Sequence, residues 1–158
     1  MNIYIASSWK NQHAVEMLTY LLREKGHEVI SFVEKAVSDE GRTNIKFDFE
    51  QWIASNDGEK KFDYDTIGAT TSDLVIYIGP SGTDAWAEVG AAWAKGVEIL
   101  GLWAKGESAG LMRRMINWFT DYRQLLLVID QIASPRCNQG DTRETGGEEE
   151  DHFGITSN

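Results

Sequence analysis

"SDLVIYIGPSGTDAWAEVGAAWAKGVEILGLWA", residues 72–104, reads in turn as strand, helix and strand. "SDLVIYIGP" is a β-branched and aromatic run ended by glycine and proline, "TDAWAEVGAAWAKG" a helix of small residues and tryptophan closed by Gly96, and "VEILGLWA" a second strand. The same alternation opens the chain. "NIYIAS" is a short strand stopped by two serines, and "AVEMLTYLLREKGHEVISFV" shows helical periodicity, a stop at Gly26 and another strand. Two β-α-β units imply a parallel sheet with helices on both faces. Further on, "SAGLMRRM" reads as a short helix, "INWFTD" as a fifth strand and "YRQLLLVIDQIA" as a final helix ending before Pro135.

Between the two units, Ser38 to Lys61 is the least regular part of the core. It holds the turn-like "DEGRTN" and "SNDGEKK" around Phe47, Phe49 and Trp52. A long connection of this kind serves as a lid or dimer contact, or as an aromatic plug at one end of the sheet.

The chain of 158 residues has the length of one domain able to bury a core without disulfides or metals. That domain is expected over residues 1–137. From Asn138 to Asn158, six acids (Asp141, Glu144, Glu148, Glu149, Glu150, Asp151) stand against Arg143, and few residues are apolar, which reads as a solvated, disordered acidic tail. The net charge of −10 argues against nucleic-acid binding, which needs clustered Lys and Arg. No apolar run approaches the ~20 residues that span a bilayer, and the opening "MNIYIASSWK" lacks a signal-peptide pattern, so the expectation is a cytoplasmic protein with no membrane partner. Cys137 stands alone, and His13, His27 and His152 have no metal-ligand spacing; neither a metal nor a cofactor is expected.

In open parallel sheets ligands bind beyond the carboxyl ends of the strands. That rule selects Tyr4 in the first strand, Ser7, Ser8 and Trp9 after it, Asp63 and Asp65 ahead of the helix leading to the third strand, and Gly79, Ser81, Gly82, Thr83 and Asp84 after that strand. Glu88 follows Asp84 at a spacing that puts both on one helix face. Each has an ordinary reading too: Ser7 and Ser8 as caps of the first helix, Thr83 or Asp84 as the cap of the next, Trp9 and Tyr4 as packing residues, Glu88 as an exposed helix position. Yet the neighbours of Glu88 are Ala, Val and Trp, and an ionised acid among buried small residues is costly without a partner. "GPSGTD" is no nucleotide fingerprint, lacking G-x-G-x-x-G and the Walker lysine, but its glycines and the following helix start suit an anion or sugar hydroxyls.

The pieces "IYIASSW", "DLVIYI" and "AWAEVGAAWAKG", spanning most of residues 2–104, resemble the nucleoside 2-deoxyribosyltransferases and related nucleotide N-glycosidases. The resemblance implies a flavodoxin-like (Rossmann-like) fold of about five strands, assembly as a homo-oligomer, and a small-molecule nucleoside or nucleotide as substrate. It assigns Glu88 as the nucleophile at C1′ of the sugar, Tyr4 as the group orienting it, and Asp65 as the carboxyl protonating the departing base. The remaining rim residues become substrate contacts. The sequence departs from the family where an aspartate six residues before the nucleophile is replaced by Gly82, where position 91 is Ala, and at its C-terminus. A non-catalytic nucleotide or signal-nucleotide binder of the same fold, and a TIR-like NAD-glycohydrolase, stay open beside the enzyme.

Overall fold

In a computed structural model of the protein, which describes residues 1–34, 48–108 and 110–134, the chain forms a parallel sheet of five strands in the order β2-β1-β3-β4-β5. The strands are β1 (Asn2–Ala6), β2 (Glu28–Ser31), β3 (Leu74–Ile78), β4 (Glu98–Leu102) and β5 (Asn117–Phe119). Between and after them run α1 (Gln12–Glu24), α2 (Phe49–Ile53), α3 (Asn56–Thr71), α4 (Thr83–Ala94) and α5 (Tyr122–Ala133). This is the doubly wound, flavodoxin-like order, in which the chain switches direction between β1 and β3.

The strand sequences decide which helix covers which face. Side chains alternate across a strand, so Ile3, Ile5, Leu74, Ile76 and Leu100 point one way, onto Val15, Leu18 and Leu22 of α1 and Leu125 and Ile129 of α5. Tyr4, Ala6, Val75, Tyr77 and Ile99 point the other way, onto Ala69 of α3 and Ala85, Val89 and Ala92 of α4. The first face is packed by large aliphatic residues. On the second, small helix residues bring α3 and α4 close to the sheet, with two tyrosines beneath them.

Helices end where the sequence signals. Gly26 (φ 83°) and Gly96 (φ 77°) take the left-handed conformation after α1 and α4, and Val97 N–H closes back on Ala92 O at 3.0 Å, as in a Schellman stop. "SAGLMRRM" gives a 3-10 turn, Leu111–Met115.

Two expectations are corrected. "SNDGEKK" opens α3 instead of forming a turn: Ser55 caps the helix by accepting from Gly58 N–H at 3.0 Å, and Asp57 and Glu59 in the first turn complement its dipole. Asp63 and Asp65 consequently lie inside that helix, not ahead of it. Thr83 and Asp84 do not cap α4, since Gly82 is its N-cap and they form its first turn. "DEGRTN", Phe47 and the acidic tail lie outside the described residues. Among the described residues no helix is long and apolar enough to cross a membrane, and no group of His, Cys, Asp or Glu is placed to hold a metal ion.

Candidate functional site

The face covered by small residues holds the candidate site. Tyr4 is essentially buried, its ring set against α3 at Gly68, where a Cβ would come within 2.6 Å of Tyr4 Cδ2. Only glycine lets the helix lie on the ring. The hydroxyl emerges between α3 and α4, 3.3 Å from Asp65 Oδ1 and hydrogen-bonded as well to Glu88.

Above it opens a cleft of about 830 Å³ between α2, α3 and α4. Glu88, Asp84, Ala87 and Ala91 form the α4 wall; Asp65, Thr66, Phe62, Lys61, Glu59 and Gly58 the α3 wall; Trp52, Ile53, Ala54 and Ser55 close the end. A nucleoside is well within this volume, and Trp52 and Phe62 offer aromatic faces to a planar base.

The electrostatics follow from this packing. Glu88 is pushed up to about 8, chiefly because burial removes water from its carboxylate, then by the negative charge of Asp65 and, more weakly, Asp84; the Tyr4 hydrogen bond pulls the other way. Tyr4 is raised far above the ordinary phenol range by burial and by the carboxylates beside it, so it stays a hydroxyl donor. One phenolic proton cannot satisfy two carboxylates at once. Glu88 is therefore largely protonated near neutral pH, beside the Tyr4 hydroxyl and with the Asp65 carboxyl near by.

Of the residues expected from sequence, Glu88, Tyr4, Asp65 and Asp84 come together here. Asp63, about 200° round α3 from Asp65, is exposed and outside the cleft. Ser7, Ser8, Trp9, Gly79, Ser81, Gly82 and Thr83 do not line it either. Ser7 donates to Ile78 O at 2.9 Å, and Asn11 Nδ2 donates to Ser7 Oγ, Ile78 O and Pro80 O, so these residues lace the β1 loop to the β3 loop. Trp9 stands edge-on to Phe32 at 4.9 Å. The sequence reading missed Ser55, Lys61, Phe62 and Thr66 as cleft residues, because α3 had no apolar stripe to announce it. Trp52 was noticed only as part of an aromatic cluster.

No family model matches the sequence, and no curated protein does. Among solved structures, a 2-deoxyribosyltransferase from Bacillus psychrosaccharolyticus is similar with a TM-score of 0.59 and 20% identity, over 79% of this chain and 90% of that one. The Clostridium botulinum CMP N-glycosidase BcmB is similar with a TM-score of 0.53 and 19% identity, over 82% of this chain and 99% of that one. The chain shares its fold with both. At such identity the likeness is one of architecture, and the roles of individual residues rest on the geometry of the cleft.

Proposed function

We propose that the protein cleaves or transfers at the N-glycosidic bond of a nucleoside or nucleotide, with Glu88 as nucleophile. The observation that carries this reading is a half-buried carboxyl group, Glu88, joined through Tyr4 to a second carboxyl, Asp65, in an open cleft of nucleoside size. The two structural neighbours, a 2-deoxyribosyltransferase and a CMP N-glycosidase, support the same class of chemistry.

In the first step Glu88 passes its proton to Asp65, and a Glu88 oxygen bonds to C1′ as the C1′–N bond breaks, its electron pair going to the base nitrogen, which takes that proton from Asp65. Tyr4 keeps the attacking carboxylate in place. Water or a second base then attacks C1′, releasing Glu88 as carboxylate and returning a proton to Asp65. Asp84, which shares the α4 wall with Glu88, accepts from sugar hydroxyls where Gly82 cannot. Exposed Ile53 and Phe62 at the cleft support assembly as a homo-oligomer, which light scattering would reveal.

The test is a mass-spectrometric screen of wild type and Glu88→Ala with deoxynucleosides, deoxynucleotides and NAD, with and without an acceptor base. Base release or exchange that vanishes in the variant is expected. Absence of turnover of all of these by wild type overturns the reading and leaves a nucleotide-binding protein of the same fold.

A further inference from the structure

α4, which carries Glu88, meets the sheet through small side chains. The helix starts at Gly82 with no side-chain cap, and it buries Ala85, Val89 and Ala92.

A polar cluster on the other flank of α4 supplies what the helix lacks. Trp86, about 200° round the helix from Glu88, packs with its ring centroid 4.9 Å from that of Tyr77 of β3 at a tilt of 47°, and the Arg113 guanidinium lies 4.0 Å over the Trp86 ring. Tyr77 donates to Glu107 Oε2 at 2.8 Å and its oxygen accepts from Ser81 N–H at 3.1 Å, in the loop that leads into α4. Glu107, with only 3% of its side chain exposed, is paired with Arg113. Arg113 also donates to Ser108 Oγ at 2.8 Å, and its carbonyl accepts from Trp118 Nε1 at 2.9 Å. The cluster fits tightly on the loop: a Cβ on Gly79 would stand 2.2 Å from Glu107 Oε2 and 2.9 Å from Tyr77 Cε1.

Tyr4 and Tyr77 thus lie on adjacent strands and the same sheet face, each bonded to a carboxyl group, on opposite flanks of α4. The geometry points to Tyr77, Glu107 and Arg113 as positioning residues that hold the first turns of α4 and so set Glu88 against Tyr4 and Asp65. An isolated buried ion pair seldom stabilises a fold more than apolar packing would. Here the pair anchors the segment after β4 to the loop before α4, a geometric role that apolar packing could not give.

This inference builds on the proposed role of Glu88, and its test is read without turnover. Tyr77→Phe removes the hydroxyl linking Glu107 to Ser81 while leaving the ion pair intact; Gly79→Ala strains the same contact by a different route. In protein labelled with carboxyl-13C glutamate, the Glu88 signal is assigned by its loss in Glu88→Gln and followed against pH. The expected result is a Glu88 midpoint at least about half a unit lower in both variants, since water reaching a loosened α4 relieves the desolvation that raises it most. An unchanged or higher midpoint, even with a lower melting temperature, overturns the inference and makes the cluster merely structural. Where wild type turns over substrate, kcat falls at least tenfold in Tyr77→Phe with KM within twofold. If wild type has no turnover, the proposed function fails alone and the titration still decides this point.

Discussion

Tyr4 Oη lies 3.3 Å from Asp65 Oδ1 while also hydrogen-bonding Glu88, so a single phenol joins carboxyl groups from two helices. Its bond to Glu88 favours the ionised form, opposing the desolvation that raises that group. Tyr4→Phe therefore leaves Glu88 harder to ionise and free to rotate. A hydrogen bond to a charged group contributes about 1.5–3 kcal/mol, so kcat should fall roughly 10- to 100-fold with little change in KM. Steady-state kinetics of base release check this, and equal losses from Tyr4→Ala and Tyr4→Phe would show that the hydroxyl, not the ring, carries the effect.

Under the proposed mechanism, the raised Glu88 gives the reaction a pH dependence that differs between leaving groups. Below about 8 Glu88 keeps its proton; above it Glu88 is ionised and that proton is gone. A base that must be protonated as it departs loses its acid there, so kcat/KM falls on the alkaline side. A base that already carries positive charge, such as nicotinamide in its nucleoside, departs neutral and needs only the Glu88 carboxylate, so its kcat/KM rises over the same range. Rate profiles from pH 5 to 10 for both substrates should cross in this way; parallel profiles would remove Asp65 from the acid role.

Stability should carry the same signature with its sign fixed by linkage. Glu88 is raised in the folded protein, to about 8 from an ordinary carboxyl value of 4.5. The folded state therefore holds a proton that the unfolded chain gives up once pH passes the ordinary value, and stability declines until the folded group ionises too. Glu88→Gln avoids that cost. It should melt above wild type by about 3 °C at pH 9, on the order of 1 kcal/mol, with the difference shrinking towards pH 4. Thermal denaturation at the two pH values checks it.

How far the sequence could be read depended on how each element buries its residues. β3 is buried along its whole length, so "LVIYI" announced itself as an apolar run, and α1 displayed its core positions at Val15, Leu18 and Leu22. Glu88 stood out because its neighbours are small or apolar. α3, by contrast, buries only Gly58, Gly68 and Ala69, none of which makes an apolar stripe. Asp65 was therefore selected by the strand-end rule, and given its role by a family resemblance, but placed ahead of the helix that carries it. The Tyr77–Glu107 bond spans 30 residues and joins a strand to an irregular segment, and no local spacing encodes such a pair.

Two glycines on neighbouring helices offer a contrast that separates packing from catalysis. In a helix interior, Gly→Ala is ordinarily stabilising by about 0.8–1 kcal/mol. On α4, a Cβ at Gly90 meets nothing within 4 Å, so Gly90→Ala should realise that gain and leave activity unchanged. On α3, a Cβ at Gly68 would stand 2.6 Å from Tyr4 Cδ2 and 2.8 Å from Cε2, in a ring that is buried. Relieving that overlap costs about 1–3 kcal/mol, more than the helix propensity returns. The protein can yield only by lifting α3, which carries Asp65, or by tilting the ring, which carries the Tyr4 hydroxyl. Either movement pulls apart the group that reaches Glu88. Gly68→Ala should thus melt below wild type and lose at least tenfold in kcat, while Gly90→Ala melts above it at full rate. If Gly68→Ala loses stability but keeps its kcat when assayed well below its melting temperature, the contact between α3 and Tyr4 serves folding alone.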